Sequence, residues 1–223
     1  MKKDLTEMVF ILDRSGSMSG LESDTIGGFN SLIDKQRKEK GEALVSTVLF
    51  SSQSVVIHDR VPLESVPHLT ERDYYTAGST ALLDAVGDAV HHIVNVHRYI
   101  RDEDRPEKTI FVITTDGMEN ASRRWSSSAV KALIEKEKTQ YGWEFLFLGA
   151  NIDSVESAGR IGIDPSHVTD YMADSTGTRL SYRNMSGAMS SIRRSRFDEN
   201  WSMDSRNYLD EVRRRQTKEK DRS

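Results

Sequence analysis

The chain of 223 residues contains no cysteine, which excludes a disulfide framework and any metal held by thiolates. Its four prolines are scattered singly, and no Pro/Gly-rich linker or internal repeat divides the sequence, so one domain with a tail is expected. No apolar run comes near the roughly 20 residues that a bilayer-spanning helix needs. The opening Met1-Lys2-Lys3-Asp4-Leu5-Thr6-Glu7 brings acids straight after its lysines, and the apolar stretch behind it is too short and too β-like for a signal peptide. Together these absences point to the cytoplasm. Catalytic signatures are missing as well: there is no G-x-x-x-x-G-K-[ST] loop, no G-x-S-x-G elbow and no H-E-x-x-H helix. His91 and His92 are adjacent, so on a helix they diverge by about 100° and cannot share an ion, while His97 falls on an apolar stripe and reads as a core residue.

What is present describes a globular protein, 36% hydrophobic and 30% charged, with a net charge of −4. That charge is uneven. Residues 171–223 carry 12 Lys+Arg against 8 Asp+Glu, leaving 19 against 27 of the chain's 31 and 35 in residues 1–170. A basic end could serve as a nucleic-acid arm, but its arginines alternate with acids and it has few aromatics for base stacking. A solvated helical tail lying against an acidic body fits it better.

Five apolar runs have strand length and β-branched or aromatic content: Met8–Leu12, Leu44–Phe50, Val55–Val61, Ile110–Thr114 and Phe145–Leu148. Helical patterns separate most of them. Leu21, Phe29, Leu32 and Ile33 share a face, Ala85 to Ile100 forms an apolar stripe, and Ala129, Val130, Leu133 and Ile134 follow a serine cluster suited to an N-cap. A short helix around Asp153–Arg160, a strand around His167–Tyr171 and a helix from about Thr178 to Arg194 complete the series. Strands alternating with helices predict an α/β fold, Rossmann-like and doubly wound, with a mostly parallel sheet and helices on both faces. Only four residues separate Leu44–Phe50 from Val55–Val61, which predicts a hairpin and one antiparallel edge strand. Residues 1–171 are expected to form the core, 172–196 a C-terminal helix packed on it, and 197–223 a polar, basic, partly disordered tail.

The sequence "DRSGSMSG" at 13–20 follows the first strand directly. Open α/β sheets bind ligands beyond the carboxyl ends of their strands, and Asp13 and Asp116, in "ITTDGMEN", each sit at such an end. Thr80, in a loop just before the helix near Leu82, can reach the same edge. Carboxylates with hydroxyls form an all-oxygen donor set suited to a hard cation such as Mg²⁺ or Mn²⁺ rather than zinc or copper. Two carboxylates and three hydroxyls leave such an ion incompletely coordinated. A partner's Asp or Glu would supply both the missing oxygen and negative charge. Ser19 and Gly20 read as capping residues of the first helix.

Asp13-Arg14-Ser15-Gly16-Ser17 resembles the D-x-S-x-S signature of the von Willebrand factor type A domain, with its metal-ion-dependent adhesion site. Thr80 in Gly78-Ser79-Thr80-Ala81-Leu82 and Asp116 in Thr115-Asp116-Gly117 are similar to that family's threonine and second aspartate, in the same order. The resemblance covers about residues 5–171 and implies a non-catalytic protein-interaction module. In it Ser15, Ser17 and Thr80 supply hydroxyl oxygens, and Asp13 and Asp116 hold Mg²⁺ (or Mn²⁺ or Ca²⁺) directly or through water. It also implies a small bacterial, intracellular type whose partner is an AAA+ ATPase or a stress-response component. Arg14, Tyr75, Glu119, Asn120 and Trp125 are candidates for a partner-binding rim, with Tyr74 or Tyr75 buried and Trp125 partly covering the following helix. A metal-dependent phosphoryl-transfer or hydrolytic enzyme is the alternative, weakened because Ser15 stands where such an enzyme carries a second carboxylate. Nucleic-acid binding through the tail is the second alternative; a membrane partner is not expected.

Overall fold

The computed structural model describes residues 1–150, 153–172 and 174–195. In chain order these form β1 (Lys2–Asp13), α1 (Glu22–Gln36), β2 (Glu42–Phe50), β3 (Ser54–Pro62), α2 (Leu82–Tyr99), β4 (Pro106–Thr115), α3 (Ser127–Tyr141), β5 (Glu144–Ala150), α4 (Ser154–Arg160), β6 (Val168–Tyr171) and α5 (Ser175–Arg194). The expected polar tail, 197–223, lies outside the described residues. Among the described residues no helix is long and apolar enough to cross a membrane.

The six strands lie in the order β3-β2-β1-β4-β5-β6. β1 pairs in parallel with both β2 and β4, and β3 is antiparallel on β2 at one edge, as the four-residue link requires. The chain therefore winds outward from β1 to β3, then crosses back through α2 to β4 on the other side of β1. The strand order reverses between β1 and β4, where doubly wound sheets open a crevice at the carboxyl ends.

Both faces of the sheet are covered, which explains the nearly continuous apolar strands. On one face Met8, Phe10 and Leu12 pack with Ile110 and Val112 against Phe29, Leu32 and Ile33 of α1 and Met185, Met189 and Ile192 of α5. On the other, Val9, Ile11, Phe111 and Ile113 meet the α2 stripe, Val130 and Ile134 of α3, and Ala158 of α4. α1 and α5 approach closely: a Cβ on Gly28 would lie 2.4 Å from the Tyr182 ring. His97 is buried, with Nε2 3.0 Å from Oε2 of the fully buried Glu7, which Arg60 also engages at 2.9 Å. Ser126 caps α3 by accepting the Ala129 amide.

Besides the start of α5, at Ser175 rather than near Thr178, two boundaries differ from expectation. β1 starts six residues before Met8, carried across an irregularity between Lys2 and Thr6 by Asp4 at positive φ and by pairing with β4. α1 has Leu21 as its N-cap, with no side-chain cap. Ser19 instead lies with its Oγ 3.1 Å from Thr76 Oγ1, and the Gly20 amide donates to Glu22 in the first turn of α1.

Candidate metal centre

Asp13 ends β1, and Asp116 follows the last residue of β4, so adjacent parallel strands deliver both carboxylates to the crevice at the reversal. Three loops meet there and are stitched through backbone. The Gly16 amide donates to Gly78 O at 3.0 Å, the Ala77 amide to Arg14 O at 2.9 Å, and the Arg14 amide to Phe50 O at 2.7 Å. Thr80 and Asn120 exchange two bonds: the Thr80 amide donates to Asn120 Oδ1 at 2.9 Å and the Asn120 amide to Thr80 O at 3.0 Å.

These ties gather the hydroxyls. Thr80 Oγ1 donates to Ser15 Oγ at 3.0 Å, Ser15 Oγ lies 3.0 Å from Ser17 Oγ, and Ser17 Oγ donates to Asp116 Oδ1 at 2.5 Å. Asp13 sits beside this chain of oxygens. Its Oδ1 accepts the Ser15 amide at 2.7 Å, its Oδ2 accepts the Thr115 hydroxyl at 2.6 Å, and its backbone carbonyl accepts the buried Tyr74 hydroxyl. Asp13, Ser15, Thr80 and Asp116 are all buried, while Ser17 is exposed. All five residues expected from the sequence thus converge on one place.

Burial pushes the Asp13 carboxyl above its ordinary value; bonds from Thr115 and Ser15 oppose this, and the nearby Asp116 charge adds to it. Burial also raises Asp116, against the bond from Ser17. Two carboxylates close enough to repel, in a desolvated crevice, favour a cation or a proton. The donor set fits the former. In an octahedron with Mg–O near 2.1 Å, neighbouring ligand oxygens lie about 3.0 Å apart, which is the spacing of the Thr80, Ser15 and Ser17 hydroxyls. Among the described residues no group of three or more His, Asp or Glu is arranged to share an ion, so an ion here would rest on hydroxyls as much as on carboxylates. Gly117 leaves room for the cluster, since a Cβ there would lie 2.6 Å from Thr80 Oγ1 and 3.0 Å from Ser17 Oγ.

The rim residues divide by what they touch. Tyr75 is exposed, with the Arg14 guanidinium 4.6 Å above its ring, while its neighbour Tyr74 is buried. Glu119 is taken up by the loop: its oxygens accept from the amides of Leu83, Ala121 and Ser122 and from the Ser122 hydroxyl. Asp84 does the same in return, accepting the amides of Arg123, Arg124 and Trp125. The Trp125 ring lies on α2 where a Cβ at Gly87 would come within 2.3 Å, and its Nε1 donates to Asp88 at 2.9 Å. Asn120 is exposed but has its amide oxygen on Thr80.

Sequence reading did not anticipate the roles of Thr115, Asp84 and Gly117, and it left open which of Tyr74 and Tyr75 is buried. The first and third flank Asp116 in "TTDG" and were within reach of a closer look at that stretch. Tyr74 and Asp84 act across 61 residues and about 40 residues respectively, and nothing local announces them. Met118, exposed beside Asp116, was also not anticipated as part of the rim.

No family model and no curated protein matches the sequence. Solved structures do match in fold. A mussel byssus protein, proximal thread matrix protein 1 with a zinc-occupied MIDAS motif, superposes with a TM-score of 0.58 at 14% identity, over 83% of this chain and 46% of the other. The von Willebrand factor type A structure from Catenulispora acidiphila gives 0.55 at 12% identity, over 83% and 43%. The manganese-loaded TRAP protein of Plasmodium vivax gives 0.55 at 16%, over 81% and 73%. The chain spans less than half the length of the mussel and Catenulispora chains it matches.

Proposed function

We propose that this chain, which has the von Willebrand factor type A fold, is a protein-interaction module that acts through a divalent cation at the β1–β4 crevice. The observation that carries the proposal is the run of Thr80, Ser15 and Ser17 hydroxyls at octahedral-edge spacing between two buried carboxylates, Asp13 and Asp116. Ser15, Ser17 and Thr80 would offer oxygens to the ion, and Asp13 and Asp116 would hold it directly or through water. Mg²⁺ suits this hard, all-oxygen set best, with Mn²⁺ and Ca²⁺ as substitutes. Once bound, the ion supplies a Lewis-acidic position for an outside oxygen. Neutral hydroxyls leave it electron-poor, so an Asp or Glu carboxylate of a partner protein is the favoured ligand. The metals named for the mussel and Plasmodium proteins support a divalent ion on this fold.

A hydrolytic reading has less support. Both Asp13 oxygens already accept hydrogen bonds, Asp116 Oδ1 accepts the Ser17 hydroxyl and Glu119 is consumed by the loop, an arrangement that suits holding an ion better than presenting a nucleophile. The cysteine-free composition is compatible with the cytoplasm as the place of action, and the resemblance to the von Willebrand factor type A family implies an acidic surface of an AAA+ or stress-response assembly as the kind of partner. The test is affinity capture from native lysate with wild type in Mg²⁺, wild type in EDTA, and Asp13→Ala in Mg²⁺. The proposal expects a protein retained in the first condition alone and released when its surface acids are neutralised by substitution. Identical retention in all three would overturn it.

A further inference from the structure

The rim of the β1–β4 crevice holds a cation that is fixed in place and has no anion to meet. Arg14 stands between Asp13 and Ser15, and its backbone is pinned on both sides: the amide donates to Phe50 O at 2.7 Å and the carbonyl accepts the Ala77 amide at 2.9 Å. Its guanidinium lies 4.6 Å from the centre of the ring of Tyr75, a residue 54% exposed. Among the described residues no carboxylate pairs with that guanidinium and no acceptor takes its N–H groups.

Carboxylates of the same loops are engaged elsewhere. Glu22 accepts the Gly20 amide at 2.7 Å and the Thr76 hydroxyl at 2.6 Å, Asp73 accepts the Thr70 amide at 2.9 Å and hydroxyl at 2.7 Å, and Glu119 is taken up by its own loop and the Leu83 amide. Arg124, by contrast, is neutralised by Asp88 at 2.5 Å and Asp84 at 3.6 Å. Stacking on a tyrosine face steadies the plane of the Arg14 guanidinium but leaves its N–H edge open. That edge is the fork that grips a carboxylate through two parallel bonds.

We propose that the partner presents two acidic side chains, one to the ion and the other to Arg14, and that Arg14, steadied by Tyr75, selects such acid pairs over single acids. The inference rests on the reading of the crevice as a metal-dependent interaction site. Asp13 and Asp116 together balance the charge of a divalent ion, so Arg14 is the cation left uncompensated beside it. Because Arg14 is the chain neighbour of both Asp13 and Ser15, with consecutive Cα atoms about 3.8 Å apart, the two acids of the partner must also be close. A spacing of two residues on an extended segment serves, since it puts both on one face about 6.6 Å apart.

The experiment pans a phage-displayed library of random dodecapeptides on the Mg²⁺-loaded full chain and releases the bound phage with EDTA. The best peptide is then titrated into wild type, Arg14→Gln and Tyr75→Leu, with each of its acids replaced in turn by the corresponding amide. The released peptides should share a pair of acids a few residues apart. In wild type, replacing one acid should abolish binding and replacing the other should weaken it about tenfold or more. In Arg14→Gln the second acid should no longer matter: the intact peptide binds as weakly as its single-acid form binds wild type, while Mg²⁺ affinity is no lower than in wild type and the circular dichroism is unchanged. Tyr75→Leu should lose part of the same effect, at the same acid. Peptides that carry a single acid, or a second-acid effect that persists in Arg14→Gln, would overturn the acid pair and leave the metal centre standing. A panning that yields no EDTA-released peptide would overturn the metal-dependent reading and this inference with it.

Discussion

Asp13 and Asp116 are held against their own solvation. A carboxyl whose folded value lies above its unfolded one favours the protonated native state, so the metal-free protein loses stability as pH rises from the unfolded value through the raised folded one, and stays at that lower level beyond. Two outcomes follow at this scale. Asp13→Asn or Asp116→Asn should raise the melting temperature of the metal-free protein at neutral pH, with the gain vanishing on acidification toward the unfolded carboxylate value; scanning calorimetry across pH reads both. Mg²⁺ binding by wild type should weaken as pH falls, beginning above the usual carboxylate range, because protons compete at the same oxygens. Gly117→Ala would drive a methyl to 2.6 Å from Thr80 Oγ1 and should lower metal affinity about tenfold or more, while the sheet, whose β4 ends at Thr115, keeps its circular dichroism. The five proposed oxygen donors were legible in the sequence as a candidate set because they cluster where apolar strands stop and just before a helix begins. The roles of Tyr74, Asp84 and Glu119 were not, although Glu119 was read as a rim candidate and Tyr74 as one of two tyrosines that could be buried, because their work consists of hydrogen bonds to backbone made only after the loops have met.

Among the elements, α5 shows how a helix with few large apolar residues is kept in place. Its C-terminal carbonyls would be left without partners, but buried Lys108 of β4 donates to the carbonyls of Ile192, Arg193 and Ser195, and Arg193 reaches back to Gln36 O at 2.7 Å and Gly41 O at 3.0 Å. Lys108→Met should therefore destabilise the protein by about 1–3 kcal/mol in denaturant unfolding. The strands were readable from β-branched runs and α2 from its stripe. The start of α5 was placed near Thr178, three residues late, because the Asp174 side chain that caps it, accepting the Gly177 amide at 2.6 Å, interrupts no apolar pattern. The early start of β1 was hidden for a related reason. Lys2, Lys3 and Asp4 are exposed and polar, and of these Lys2 pairs with Pro106 of β4 while Lys3 and Asp4 span the irregularity.

For the molecule as a whole, the doubly wound order matters more than any single contact. Reversal between β1 and β4 leaves a crevice that no strand-end side chain can close, and the three loops around it are stitched to each other rather than to a lid. A ligand that binds only the folded chain adds to its stability, by about 2.7 kcal/mol at a hundred times Kd, which for a domain of this size corresponds to roughly 5–10 °C in melting temperature. Saturating Mg²⁺ should produce a rise of that order in wild type and none in Asp116→Asn.

The most direct measurement is a calorimetric titration of Mg²⁺ and Mn²⁺ into wild type, Asp13→Asn and Asp116→Asn at neutral pH. The account predicts one ion bound per wild-type chain and no binding in either variant. A wild type that binds neither ion, or variants that bind as wild type does, would contradict it.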